Sequence, residues 1–122
     1  MNDKTKVLYV DDEFLNLSSF EILFKNKFTV FIASNGIKGL EIFENNNINI
    51  VISDQKMPQM TGIEFLEKVY EKNNNTLRII HSGFIDSCEI QNAIENNIAQ
   101  FCLDKPLQEY LLLDIINNYL KK

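Results

Sequence analysis

The sequence predicts an α/β fold: a doubly wound parallel sheet of five strands, with five helices on both faces. Short apolar runs that suit strands alternate with helical patterns five times along the 122 residues, and the connections are short, as in consecutive βα units. The run Ile48–Ser53 is apolar almost throughout, which is typical of a central parallel strand. Right-handed crossovers would then place helices on both faces of the sheet.

Hydrophobic periodicity predicts each element in turn. The first half of the chain gives the strand Thr5–Val10, the helix Phe14–Asn26, the strand Phe28–Ser34, the helix Ile37–Glu44 and the strand Ile48–Ser53. The second half gives the helix Thr61–Lys72, the strand Thr76–Ser82, a helix capped by Asp86 that runs to Asn96, the strand Ala99–Leu103 and the helix Leu107–Leu120.

The first and last helices carry apolar stripes that we expect to pack on the sheet, because their spacing follows one helix face. The first stripe comprises Leu17, Phe20, Leu23 and Phe24. The last comprises Leu111, Leu112, Ile115, Ile116 and Tyr119.

Length and composition predict one globular domain over residues 1–122. The net charge of −5 argues against general nucleic-acid binding. No apolar run has the length of a signal peptide or a membrane span, so we expect no membrane association and a cytoplasmic location. Cys88 and Cys102 do not form a C-x-x-C motif, and we expect reduced, buried thiols.

Three acids and one lysine stand where predicted strands end. Asp11 and Asp12 follow the first strand, Asp54 follows the third, and Lys105 follows the fifth. Because ligands bind beyond the carboxyl ends of parallel strands, we expect these groups to meet there. Neighbouring carboxylates repel one another, and such a cluster favours a hard cation such as Mg²⁺. For Asp11 or Asp12 alone, capping of the first helix is the alternative.

Four motifs occur in order along the chain. YVDDE closes the first strand, SDQKMPQMTG starts at the end of the third, IIHSG closes the fourth, and LDKP closes the fifth. Together they resemble the receiver domain of bacterial two-component response regulators, over essentially the whole chain. The resemblance implies a single receiver domain with the flavodoxin-like strand order 2-1-3-4-5.

The resemblance also implies a phosphoryl site with a metal ion. Asp54 matches the phosphoacceptor. Asp12, Asp54 and the backbone carbonyl of Lys56 match protein ligands of Mg²⁺ (or Mn²⁺), and Asp11 matches the companion acid that acts through water or binds the metal. These oxygen ligands are of the type that a hard cation prefers, which agrees with the resemblance.

Further matches concern the phosphoryl group itself. Lys105 matches the lysine that pairs with it, and the Lys105–Pro106 peptide bond is implied to be cis. Ser82 matches the hydroxyl that turns toward the phosphate on activation, with Gly83 leaving the site open to donors. His81 is the only histidine, and strand alternation should turn it away from Ser82, so we expect no catalytic role for it.

The sequence departs from the family pattern near the fifth strand. An aromatic residue usually stands three residues before the lysine, where this chain has Cys102, and Phe101 should face the other side of the sheet. Phe84 is a candidate replacement. Lys56 could reach the phosphate or screen it from water, and Glu13 could contact metal-bound water.

The implied function is a phosphoryl-accepting signalling switch. The donor would be a sensor histidine kinase or a histidine phosphotransfer domain, and the protein would catalyse only its own phosphorylation and dephosphorylation. The output partner is unknown and could be a fused effector domain, since the chain is either a stand-alone regulator or part of a longer protein.

Exposed apolar positions suggest two partner surfaces. Phe14, Leu15 and Ile22 exceed what one core stripe needs and suggest a docking face for the phosphoryl donor. Tyr110 and Leu113 suggest an output contact or a homodimer contact. Buried neighbours would explain the same residues equally well.

Other function classes fit less well. An interaction module that works without phosphorylation is an alternative, because Cys102 replaces the usual aromatic residue. A flavin-binding protein of similar fold lacks its phosphate loop, because the acids of YVDDE would repel a flavin phosphate. An aspartyl phosphatase would need a second acid two residues after Asp54, where Lys56 stands.

Overall fold

The structure, a computed structural model, describes residues 4–121, so both ends of the predicted domain 1–122 lie outside the described residues. The strands are β1 (Lys6–Val10), β2 (Thr29–Ala33), β3 (Ile50–Asp54), β4 (Leu77–Ser82) and β5 (Phe101–Asp104). The helices are α1 (Phe14–Phe24), α2 (Gly36–Asn45), α3 (Gly62–Lys72), α4 (Cys88–Glu95) and α5 (Glu109–Leu120). Within residues 4–121, no helix is long and apolar enough to cross a membrane.

The five strands form one parallel sheet in the order β2-β1-β3-β4-β5, which confirms the predicted fold class. Val10 near the end of β1 is paired with Ser53, and Asp54 is paired with His81. Because neighbouring strands end in step, their carboxyl ends meet along one edge of the sheet.

The helices cover both faces of the sheet, as predicted. Along β3, Ile50 and Ile52 pack into a cluster with α1 and α5, while Val51 packs into a second cluster with α2, α3 and α4. Every residue of β3 and β4 is buried. This double burial explains why β3 is apolar almost throughout rather than alternating.

Helix α4 begins later than predicted, and the predicted cap, Asp86, is wrong. Ser87 caps the helix: its backbone is extended, and its side chain accepts the N–H of Ile90 at 3.3 Å. Cys88 is then the first residue of α4 and is exposed, so the prediction of a buried thiol is wrong there. Cys102 is half-buried, and both thiols are free.

The apolar stripes of the first and last helices, α1 and α5, are narrower than predicted. Leu23 is 47% exposed and Leu111 is 40% exposed, whereas Phe24 and Leu112 are fully buried. Successive residues of a helix point about 100° apart, so the residue before a buried one turns toward the flank. Leu23 and Leu111 each stand in that position.

Arg78 on β4 was given no role by the sequence, yet it is only 1% exposed. Its guanidinium donates to the carbonyls of Asn97 at 2.8 Å and Ile98 at 3.0 Å, and also to that of Thr76. It lies 4.7 Å from the centre of the Tyr70 ring. Since a buried cation is unfavourable without such partners, Arg78 ties the loop before β4 to the loop before β5.

We expect Arg78→Met to lower the free energy of unfolding by about 3 kcal/mol or more, because buried carbonyls lose a charged donor. Urea unfolding followed by circular dichroism measures this. The exposed Lys68→Met on α3 is the matched control and should stay within about 0.5 kcal/mol of the wild type. A loss below about 1 kcal/mol for Arg78→Met contradicts the assigned role.

Candidate functional site

The acids and the lysine predicted to meet at the carboxyl edge lie together. One carboxylate oxygen from each of Asp11, Asp12 and Asp54 lies within 4.8 Å of the other two. Lys105 Nζ is 2.9 Å from Asp54 Oδ1. The fold therefore brings three acids and one cation from three strand ends into one cluster.

This cluster borders a notch of about 380 Å³ at the surface. The notch is lined by Asp12, Glu13, Asp54, Lys56, Ser82, Gly83, Phe84 and Lys105. Asp11 is fully buried and does not line it. Three other predicted residues lie outside the notch. Phe101 is exposed on β5, and Cys102 packs against the hydrophobic core between the sheet and helices α2, α3 and α4. Pro106, which follows Lys105, does not line the notch.

Asp11 is held in place by three donors. Its Oδ1 accepts the N–H of Glu13 at 2.9 Å, and its Oδ2 accepts the Tyr9 hydroxyl and the Asn16 side-chain amide, both at 3.0 Å. Glu13 directly precedes α1, so Asp11 shapes the entry to that helix while it faces the cluster. Sequence reasoning missed Tyr9 and Asn16, although strand alternation places Tyr9 on the same side as Asp11.

Burial and charge set the protonation of the central pair. Burial raises the pKa of Asp54, and the Asp11 carboxylate raises it further, while the hydrogen bond and charge of Lys105 lower it. Burial lowers the pKa of Lys105, but the hydrogen bond to Asp54 and the nearby acids outweigh burial and raise it on balance. Lys105 therefore stays protonated at neutral pH, and its one positive charge does not balance the three carboxyl groups.

The loop after β3 fixes the position of Asp54. The Gln55 carbonyl accepts the N–H of Gly62 at 2.9 Å, and the Gln55 side chain accepts the N–H of Ile63 at 2.8 Å. A Cβ on Gly62 would stand 2.2 Å from the Asp54 carbonyl oxygen. Only glycine therefore allows α3 to start this close to the end of β3. Gln55 was not identified from the sequence.

The ends of β4 and β5 form the other wall of the notch. Ser82 is 4% exposed, and its hydroxyl oxygen accepts the N–H of Phe84 at 3.0 Å. The Ser82 carbonyl accepts the N–H of Lys105 at 3.1 Å. A Cβ on Gly83 would meet nothing within 4 Å, so this wall is open. The Lys105–Pro106 peptide bond is cis, the isomer that the resemblance implies.

Lys56 and Phe84 meet across the notch. Lys56 Nζ lies 4.7 Å from the centre of the Phe84 ring, within the range of a cation–π contact. Phe84 is 63% exposed, so this contact lies at the surface. The two residues predicted as separate modulators are therefore in contact with each other.

His81 lies outside the notch. It is buried, and its Nδ1 is 3.4 Å from the Tyr9 hydroxyl. Burial lowers the pKa of His81 to about 4, and the charge of Lys105 contributes, so the ring is neutral at neutral pH. His81 and Ser82 line different cavities, which agrees with the alternation expected along β4.

Comparison with known proteins identifies the family. The family model of the response regulator receiver domain matches residues 7–117. The chain belongs to this family, whose members act in two-component signalling.

Three relatives illustrate the match. Sporulation initiation phosphotransferase F of Bacillus subtilis is 30% identical over 122 residues, which cover 98% of this chain and 95% of that protein. The hydrogenase transcriptional regulatory protein HoxA of Cupriavidus necator is 31% identical over 114 residues, 92% of this chain. The crystal structure of a CheY-like receiver domain protein from Methanospirillum hungatei has a TM-score of 0.88 at 31% identity and covers 98% of this chain and 95% of that chain.

The relatives differ in how much they contain beyond the shared domain. This chain spans 24% of the length of the HoxA proteins of Cupriavidus necator and Bradyrhizobium diazoefficiens. It spans nearly all of the sporulation phosphotransferase. The receiver domain thus occurs both alone and within longer proteins among the relatives.

We expect Gly62→Ala to lower the free energy of unfolding by about 1–3 kcal/mol, because the new methyl group overlaps the Asp54 carbonyl. Thermal or urea unfolding measures the loss. Gly83→Ala is the matched control, since its methyl group meets open space, and should stay within about 0.5 kcal/mol of the wild type. Equal stabilities of the two variants would show that Gly62 does not constrain the loop.

Proposed function

We propose that this domain is a phosphoryl-accepting signalling switch and that Asp54 is its nucleophile. The observation that carries the proposal is the Asp54 carboxylate at a strand end, 2.9 Å from Lys105 Nζ and beside two further acids. Family membership supports the same reading. We further propose that residues 1–122 act as one receiver unit.

The donor set fits a hard divalent cation. Three carboxylate oxygens converge, and Lys105 forms an ion pair with one of the three acids. We propose that Asp11, Asp12, Asp54 and the backbone carbonyl of Lys56 would hold Mg²⁺ (or Mn²⁺), which prefers oxygen ligands. When bound, the ion supplies charge neutralisation for the oxygens of the transferring phosphoryl group.

In the proposed reaction an Asp54 carboxylate oxygen attacks the phosphorus of a phosphohistidine. An O–P bond forms as the N–P bond breaks, and the imidazole nitrogen leaves with the electron pair and takes up a proton from water. Lys105 stabilises the added charge, since its ammonium already contacts Asp54. Positioning and electrostatics supply most of the rate, because the transferring group needs little covalent assistance.

Phosphorylation would then act on the β4–α4 loop. A phosphoryl group adds about 1.5 to 2 negative charges and three acceptor oxygens. The Ser82 hydroxyl is the donor within the notch that can turn toward them, and turning breaks its bond from the Phe84 N–H. The backbone of the loop at Phe84 would move in consequence. This route to a switch needs no aromatic ring at Cys102.

The proposed partners follow from the chemistry and from exposed apolar residues. A sensor histidine kinase or a histidine phosphotransfer domain would supply the phosphoryl group. Phe14, Leu15 and Ile22 on α1 are 74%, 76% and 67% exposed, which supports a docking face there. Tyr110 on α5 is 68% exposed and supports an output or homodimer contact, while Leu113 is half-buried against the core. A fused effector domain is the other form of output.

We expect acetyl phosphate with Mg²⁺ to add one phosphoryl group to the wild type and none to Asp54→Asn, as measured by intact mass. Asp114→Asn, an exposed acid on α5, is the matched control and should be modified like the wild type. A wild type that stays unmodified favours the second candidate, an interaction module that works without phosphorylation. Cys102 supports that candidate, because it stands where the family usually has an aromatic residue. Modification of Asp54→Asn would assign the phosphoryl group to another residue.

We expect Lys56→Ala to shorten the lifetime of the phosphorylated form, because the Phe84 ring loses the cation that holds it at the notch and water gains access. A surface cation–π contact is worth about 0.5–1 kcal/mol, which corresponds to a factor of about 2 to 5 in rate. Decay after removal of acetyl phosphate measures this. Lys56→Arg keeps the contact and should decay like the wild type, and equal lifetimes in Lys56→Ala and the wild type contradict the idea.

A further inference from the structure

The Asp11 carboxylate has few electron pairs left to offer. Its Oδ2 accepts the Tyr9 hydroxyl and the Asn16 amide, and its Oδ1 accepts the N–H of Glu13. Each carboxylate oxygen accepts about two hydrogen bonds. Oδ2 is therefore saturated, and Oδ1 keeps one free electron pair.

Tyr9 is fixed in the orientation that this arrangement needs. Its side chain is 2% exposed, and its ring stacks on Phe20 with centroids 4.3 Å apart and planes inclined by 2°. Its hydroxyl carries one hydrogen, which is donated to Asp11 at 3.0 Å. The ring cannot turn away from Asp11 without breaking the stack.

His81 completes the chain of hydrogen bonds behind Tyr9. Because the Tyr9 hydrogen is donated to Asp11, the Tyr9 oxygen can only accept from His81 Nδ1, which is 3.4 Å away. Such a hydrogen bond requires the hydrogen of the neutral His81 ring to be on Nδ1. Its Nε2 has no hydrogen-bond partner among residues 4–121. The bonds therefore run from His81 to Tyr9 to Asp11.

We infer that Tyr9, supported by Asn16, is a positioning residue that restricts Asp11 to a single metal-binding electron pair on Oδ1. The inference rests on the proposed function, because it takes Asp11 as one of the residues that would hold Mg²⁺. A carboxylate limited to one electron pair suits Mg²⁺ better than Ca²⁺, since Ca²⁺ takes more oxygen ligands and often binds both oxygens of one carboxylate. Tyr9 would thus contribute to the choice between the two ions.

The competing explanation is that the Tyr9–Asp11 bond serves the stability of the core alone. Tyr9→Phe separates the two, because it removes the hydroxyl and keeps the ring that stacks on Phe20. A structural role changes the free energy of unfolding and leaves metal affinity as it was. A positioning role changes metal affinity and the preference between metals.

The test is a calorimetric titration of the full chain with Mg²⁺ and, separately, with Ca²⁺. We expect Tyr9→Phe to bind Mg²⁺ about tenfold more weakly than the wild type, as is typical when a group that orients a metal ligand is lost. Binding of Ca²⁺ should weaken less or improve, so the ratio of Mg²⁺ to Ca²⁺ affinity falls. Tyr110→Phe, at an exposed tyrosine, is the matched control and should bind both ions like the wild type.

A second readout uses the tyrosine itself. The chain has four tyrosines and no tryptophan, so tyrosine dominates its near-ultraviolet absorption. A cation at Asp11 should change the spectrum of the hydroxyl bound to it. We expect a Mg²⁺-induced difference spectrum in the wild type and in Tyr110→Phe that is absent in Tyr9→Phe.

The outcomes separate this inference from the proposed function. Equal Mg²⁺ affinities and an unchanged ion preference in Tyr9→Phe overturn the inference and leave the Mg²⁺ site intact. A wild type that takes up no Mg²⁺ overturns both. Should Tyr9→Phe fail to fold, Asn16→Ala on α1 removes the other donor to Oδ2, and the same fall in the affinity ratio is expected.

Discussion

Three carboxylates converge on one lysine at the carboxyl edge of the sheet, and the site depends on this imbalance of charge. Lys105 neutralises one acid through its contact with Asp54. Hydrogen bonds from Tyr9, Glu13 and Asn16 offset the burial of Asp11. What remains is a net negative site, in which burial and then the Asp11 carboxylate raise the pKa of Asp54. We propose that this charge imbalance favours the binding of a cation and, with it, of a phosphoryl group.

The fold maintains this arrangement through backbone geometry. Strands that end in step bring Asp11 and Asp54 to one edge, and the close approach of α3 at Gly62 fixes the carbonyl of Asp54. On the other side, the Ser82 carbonyl holds the backbone N–H of Lys105. The same loops that position the charges also form the walls of the notch. The Ser82 hydroxyl is also linked to the surface at Phe84, because its oxygen accepts the Phe84 N–H.

The sequence predicted the fold and the meeting of three acids with one lysine, because both follow from local pattern. Strand periodicity gave the sheet, and strand ends gave Asp11, Asp12, Asp54 and Lys105. Local choices that depend on one rotation or one residue were missed: Ser87 rather than Asp86 caps α4, and Leu23 turns outward. Hydrophobic periodicity does not separate Leu23 from the adjacent Phe24, and cap preferences do not separate Asp86 from the adjacent Ser87.

Partners far apart in the chain were also beyond local pattern. Arg78 satisfies carbonyls about 20 residues away, which no spacing rule anticipates. His81 on β4 and Tyr9 on β1 are 72 residues apart in the chain, and their side chains meet across the intervening strand β3. The contact between Lys56 and Phe84 likewise joins two loops. These pairings exist only once the sheet has set the distance between its strand ends.

Thermal unfolding of the wild type and Asp12→Asn, each with and without Mg²⁺, tests the charge imbalance most directly. We expect Mg²⁺ to stabilise the wild type by about 2.7 kcal/mol when its concentration is 100 times the Kd. Without Mg²⁺, Asp12→Asn should be at least as stable as the wild type, because one repelling charge is gone, and Mg²⁺ should stabilise it far less. An unfolding temperature of the wild type that does not change with Mg²⁺ would contradict a cation site built on this charge imbalance. An equally strong response of Asp12→Asn would contradict it too.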